Sequence, residues 1–157
     1  MRLLVLNGPN PEIPDDLEDR MTAWGEGMGV TVEARRSDDG ARIAGWIEQY
    51  DGDGVVIGPA GLDATRTIAD ALTEVGLPAV EVHPGAVVES PIRDVTVRRI
   101  FGRGLTGYRD AMRHLVNRAA MPFETLRYGT HPDNVGDLRG EGEELVVLVH
   151  GGLWRQA

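Results

Sequence analysis

The chain has 157 residues, 41% of them hydrophobic, which is enough for one core of ordinary size with an appendage and excludes a disordered chain. Its formal net charge of −9 argues against nucleic-acid or anionic-membrane partners, which need a basic patch. Without cysteine there is no disulfide, thiolate nucleophile or Cys-ligated metal site, and no apolar run suits a signal peptide or membrane span, so a cytoplasmic location is expected.

Leu3 to Leu6 is a continuous apolar run ending at Asn7-Gly8-Pro9-Asn10-Pro11, as in a strand covered on both faces. After Pro14, Asp15-Asp16 opens a helix with Leu17, Met21 and Trp24 on one stripe, ending near Gly27 or Gly29. Val30 to Ala34 alternates as a second strand. Asp38-Asp39 starts a helix in which Ile43, Trp46, Ile47 and Tyr50 follow i, i+3, i+4, i+7 spacing. Val55 to Ile57 is the third strand, running into Gly58-Pro59-Ala60-Gly61. Asp63 or Thr65 begins the next helix, which carries Ile68 and Leu72 inward and stops at Gly76. Ala79 to Val82 is strand four. One or both of Val95-Thr96-Val97 and Ile100-Phe101 supply a fifth, and a last helix starts near Tyr108 and ends at Ala119 or Ala120.

Strands alternating with helices predict an α/β domain over residues 1–120, a flavodoxin-like, doubly wound parallel sheet of five strands. From Met121 the pattern changes. Residues 121–144, rich in Gly, Pro, Asp and Glu, read as a linker, and Leu145 to Val149 as an extra C-terminal β segment that must pair elsewhere.

Val80-Glu81-Val82-His83-Pro84-Gly85 sets a histidine where a buried parallel strand ends, at the sheet edge where α/β domains bind ligands. The competing reading is a histidine that only caps or packs. His114 reads as a surface or packing residue, and His131 and His150 are too few for a metal site. Arg98, Arg99 and Arg103 read as a solvated basic face, with an anionic ligand as the second choice.

Leu6-Asn7-Gly8-Pro9-Asn10 resembles the opening strand and turn of type II 3-dehydroquinate dehydratases, and further pieces follow in order. These are Trp46-Ile47-Glu48 with Asp53-Gly54-Val55-Val56-Ile57, then Ala69-Asp70-Ala71-Leu72, Gly76-Leu77-Pro78-Ala79-Val80-Glu81-Val82-His83 and Gly102-Arg103-Gly104-Leu105-Thr106-Gly107-Tyr108. In that family a lid Tyr, helped by a lid Arg, removes a proton beside the substrate ketone. A water held by the first-turn Asn stabilises the enolate, and a strand-four His protonates the departing hydroxyl. The resemblance implies Asn10 and His83 as the catalytic pair, with Glu81, Arg93, Asp63 and Gly85 around the substrate and Asp70 supporting the subunit scaffold or the site. It also implies a small carboxylated ligand, no cofactor or metal, and a trimer-based homo-oligomer extending to a dodecamer.

The pattern departs from the family's at several points. After Asn10 the chain passes directly to Pro11-Glu12-Ile13-Pro14-Asp15, so the lid of roughly eight residues with its Arg is missing and Pro14 stands in place of the Tyr. The family's Asn-Pro-Gly-Ala-Tyr-Thr-His becomes Gly58-Pro59-Ala60-Gly61-Leu62-Asp63, so Gly58 replaces an Asn and Asp63 a His. Pro84 has no N–H to offer a substrate carboxylate. A degenerate site is therefore expected, with Asp63 and Glu12 as the candidate replacement bases.

A second resemblance lies in Tyr128-Gly129-Thr130-His131-Pro132-Asp133-Asn134, then Asp137-Leu138-Arg139, then Val146-Val147-Leu148-Val149-His150-Gly151-Gly152-Leu153-Trp154-Arg155. Together they are similar to the start of an α/β-hydrolase of the kynurenine-formamidase or esterase type, whose His-Gly-Gly turn feeds an oxyanion hole. Ser37 and Ser90, the only serines, lie outside any Gly-x-Ser-x-Gly. The alternative reading is thus a non-catalytic accessory or oligomerisation domain fused to a hydrolase, with residues 121–157 as linker and hydrolase start.

Overall fold

In a computed structural model, residues 1–8, 10, 13–60, 62–85, 97–130, 134–142 and 146–147 are described. The three continuous apolar runs become the central strands β1 (Arg2–Asn7), β3 (Gly54–Ile57) and β4 (Ala79–His83). They are flanked by β2 (Thr31–Arg36) and β5 (Val97–Phe101) in the order β2-β1-β3-β4-β5, all parallel. This is the flavodoxin-like order, and β1 and β3 flank its switch point.

Side chains alternate across the sheet, so each strand feeds two cores. Leu3, Val5, Val56, Val80 and Val82 pack with Leu17 and Met21 of α1 (Leu17–Met28) and with Tyr108, Met112 and Leu115 of α4 (Thr106–Ala120). On the other face, Leu4, Leu6, Val55 and Ile57 meet Ile43 and Ile47 of α2 (Gly40–Glu48) and Ile68 and Leu72 of α3 (Leu62–Val75). Element ends follow local chemistry. The Asp39 carboxylate accepts from the N–H groups of Ala41 and Arg42 at the start of α2. Gly29 and Gly76 stop α1 and α3 at φ of +70° and +68°.

The described part of residues 121–144 is more structured than a linker. An antiparallel hairpin of β6 (Phe123–Arg127) and β7 (Val135–Arg139) follows α4 directly. Its inner face carries Phe123, Thr125 and Asp137, a set too polar to register as a strand pattern. It docks through specific contacts: Phe123 meets the His114 ring edge-on at 5.8 Å, Arg118 and Arg139 lie over Phe123, and Asp137 pairs with Arg98 of β5. The expected strand at Leu145 to Val149 is not formed at Val146 and Val147, which are 78% and 72% exposed. Nothing described lies against them that could turn their apolar character into pairing; the rest of that run falls outside the described residues.

Candidate active site

His83 occupies the last position of β4, where the strand's burial gives way to the sheet edge. Glu81 and His83 are two residues apart on one strand and share a face. His83 Nε2 lies 2.8 Å from Glu81 Oε1, with Glu81 2% and His83 15% exposed. The imidazole also stacks on Phe101, its register partner in β5, with ring centres 5.1 Å apart and planes 24° apart. With Nε2 on the carboxylate, Nδ1 is the ring nitrogen left for a ligand, and no described residue bonds to it. The backbone beyond is fixed as well: Gly102 N–H donates to the His83 carbonyl and Gly104 N–H to that of Pro84.

The neighbouring strand ends are laced together. Gly8 N–H donates to the Pro59 carbonyl at 3.0 Å, and Gly58 N–H to that of Leu6 at 2.7 Å. Beneath them Asn7, 1% exposed, accepts from the Tyr108 hydroxyl at 2.6 Å, while its Nδ2 is buried without a partner among the described residues. Burial holds the Tyr108 hydroxyl well above the usual phenol range, so it acts as a donor. A Cβ at Gly58 would overlap both Asn7 Oδ1 and the Tyr108 oxygen. Glycine at position 58 is therefore a packing requirement here. Sequence reasoning missed this cluster; the signal for it was Gly58 itself, together with the Tyr108 of the last-helix motif.

Of the site residues expected from the sequence, the structure joins Glu81 and His83 directly. Asn10 sits in the turn after β1, half-buried, its carbonyl accepting from Ile13 N–H. Strands β1 and β4 are two places apart in the sheet, roughly 10 Å at ordinary strand spacing. Gly85 lies just past β4, and its N–H has no partner among the described residues. Asp63 is in the first turn of α3 with its side chain outside the described residues, and Arg93 lies outside them altogether. The carboxylate seen against His83 is that of Glu81.

The basic cluster is not a solvated face. Arg99, 13% exposed, stands with Nε 3.6 Å from Glu81 Oε2, and Arg98 turns to the opposite face and pairs with Asp137. Alternation along β5 splits the two, and each is drawn to a carboxylate that the sequence places far away. Arg103 is the exposed member, 3.9 Å from Asp110. Among the described residues no three His, Asp or Glu side chains gather closely enough to hold a metal ion, and no helix is long and apolar enough to cross a membrane.

Residues 1–116 match the family model for dehydroquinase class II. The chain is 33% identical to 3-dehydroquinate dehydratase 2 of Pseudomonas aeruginosa over 139 residues, which cover 74% of this chain and 94% of that one. Among solved structures it resembles the type II dehydroquinase of Propionibacterium acnes at 36% identity and a TM-score of 0.64, covering 74% of this chain and 98% of that one. A 3-dehydroquinate dehydratase-like protein from Bifidobacterium longum gives 29% identity and a TM-score of 0.62, covering 75% and 97%. With three quarters of its length matched in sequence and in fold, the chain belongs to the class II dehydroquinase family.

Proposed function

We propose that this protein binds a small cyclic carboxylate of the 3-dehydroquinate class at the carboxyl edge of β1, β3 and β4, with His83 as its proton donor. The observation that carries this reading is the His83–Glu81 pair at the end of β4, in which Nε2 is taken up by the carboxylate. A proton on Nδ1 is placed to pass to a departing hydroxyl, while Nε2–H stays on the carboxylate. Asn10 serves the water at the enolate oxygen, and Gly85 N–H, with Arg93 and Asp63, serves the ligand's polar groups. The proton-abstracting half of the site is weak. With Pro14 in place of the lid Tyr, the loss of a general base alone costs about 10²–10⁴ in rate, so dehydration by this chain is slow.

Calorimetric titration with 3-dehydroquinate, beside an assay of the product's enone absorbance, tests both halves. The wild type should bind, and should turn over at least about 10²-fold more slowly than the Pseudomonas aeruginosa relative. His83→Ala should weaken binding about tenfold, or 1.4 kcal/mol, with the fold intact by circular dichroism. Unchanged binding in that variant would reduce His83 to a packing residue, and turnover equal to the relative's would reject the degenerate site. A trimer-based homo-oligomer belongs to this reading.

The hairpin favours a second reading. It lies beyond the family match and directs Leu126, Leu138 and Tyr128 outward, each at least 40% exposed. On this reading residues 121–157 lead into a hydrolase-type domain, and the dehydroquinase-like part is its accessory or assembly domain. Reading the coding sequence past Ala157 is the check: an in-frame Gly-x-Ser-x-Gly supports it, and a stop codon at once rejects it.

A further inference from the structure

Strand β5 presents two side chains to the His83–Glu81 pair in one register, Arg99 opposite Glu81 and Phe101 opposite His83. The two oxygens of the Glu81 carboxylate face different nitrogens: Oε1 meets His83 Nε2 at 2.8 Å, and Oε2 lies 3.6 Å from Arg99 Nε, an ion pair beyond hydrogen-bond length. Among the described residues, the ionisable groups that meet Glu81 are His83 from its own strand and Arg99 from β5. A carboxylate only 2% exposed keeps its charge only beside compensating positive charge. His83 supplies that charge only while it carries two protons. Arg99 supplies it permanently, because a guanidinium does not lose its proton in a protein.

We propose that Arg99 is a positioning residue that holds Glu81 as the carboxylate and so keeps the mobile proton of the pair on the His83 ring. Two arrangements contain the same two protons. In the first, Glu81 is a carboxylate and His83 an imidazolium, with Nε2–H on Oε1 and Nδ1–H turned to a ligand. In the second, Glu81 is a carboxylic acid donating its O–H to Nε2, and His83 is a neutral ring protonated on Nδ1. The first gives up the Nδ1 proton and leaves a neutral ring still bonded through Nε2–H. The second releases it only if the Glu81 proton crosses to Nε2 in the same step. Attraction between Arg99 and the carboxylate selects the first. Phe101 keeps the ring in plane with that contact by stacking on it.

This deepens the reading of His83 as a proton donor, and it is tested without substrate, so its failure and the failure of that reading are distinguishable. Infrared spectra of the full chain at mildly acidic pH should show no protonated-carboxyl band from Glu81 in the wild type or in Arg99→Lys, which keeps the charge. Arg99→Met should gain one such band, and adding Glu81→Gln should remove it again. Nitrogen-15 NMR of the His83 ring reports in parallel: Nε2 should carry its proton in the wild type and Arg99→Lys, and be bare in Arg99→Met. A folded Arg99→Met without the band, or Arg99→Lys behaving like Arg99→Met, overturns the proposal. If Arg99→Met fails to fold, the wild type decides, since a bare Nε2 there overturns it equally.

Discussion

Gly58→Asn should destabilise the protein by about 3 kcal/mol and should not improve ligand binding. A Cβ at position 58 collides with Asn7 Oδ1 and the Tyr108 hydroxyl. Neither can step aside cheaply. Asn7 ends β1 with its side chain buried, and Tyr108 is fully buried in the α4 core. The Gly58 backbone is itself fixed by the hydrogen bond to the Leu6 carbonyl, so relief requires shifting a strand end or breaking the Tyr108–Asn7 bond. Urea unfolding measures the loss. The same experiment with Gly58→Ala in an Asn7→Ala/Tyr108→Phe background isolates the cause, because the penalty there should fall by at least about 1.5 kcal/mol through the coupling of neighbouring sites. Equal penalties in both backgrounds would mean that the collision is not what excludes a side chain at 58.

The second large effect is acid lability centred on His114. Burial, with Arg98, Arg118 and Arg139 nearby and partly opposed by Asp137, pushes the His114 imidazole down to about 4. Its Nε2 is buried without a partner among the described residues, and Phe123 of the hairpin meets the ring edge-on. The unfolded chain, with a histidine near 6.5, takes up this proton before the folded one does. Stability from this group is therefore complete above about pH 6.5 and is lost as pH falls toward about 4. The full linkage would be about 3 kcal/mol; partial solvent access at this half-buried site reduces it to about 1–2 kcal/mol. Unfolding free energies at about pH 7.5 and 4.5 should differ more in the wild type than in His114→Gln by that amount. The same pH dependence in both proteins would show that His114 is not the group responsible.

Both effects arise where residues distant in the chain meet, and that is where sequence reading stopped. The parallel sheet was legible because Leu3–Leu6, Val55–Ile57 and Ala79–Val82 are continuous apolar runs, which only a strand covered on both faces requires. Helix limits were legible to within a few residues, since Asp39 and Gly76 act on backbone groups close to themselves. The hairpin was missed because its inner face is Phe123, Thr125 and Asp137, held by an ion pair and stacked guanidinium groups instead of an apolar stripe.

The sequence by itself determined that an α/β sheet forms and that His83 stands at the end of β4 two residues after Glu81, because strand period and termination are local properties of the chain. Even their contact was implicit in that spacing, since residues two apart on a strand share a face. Only the tertiary structure decided that Arg99 is a partner of Glu81 and not a solvated charge, and that Gly58 is empty because Tyr108 and Asn7 fill its space. The reason is physical: pairings across 18 and 101 residues depend on strand register and on the packing of α4 against the sheet. Neither leaves a periodic trace in the residues that take part.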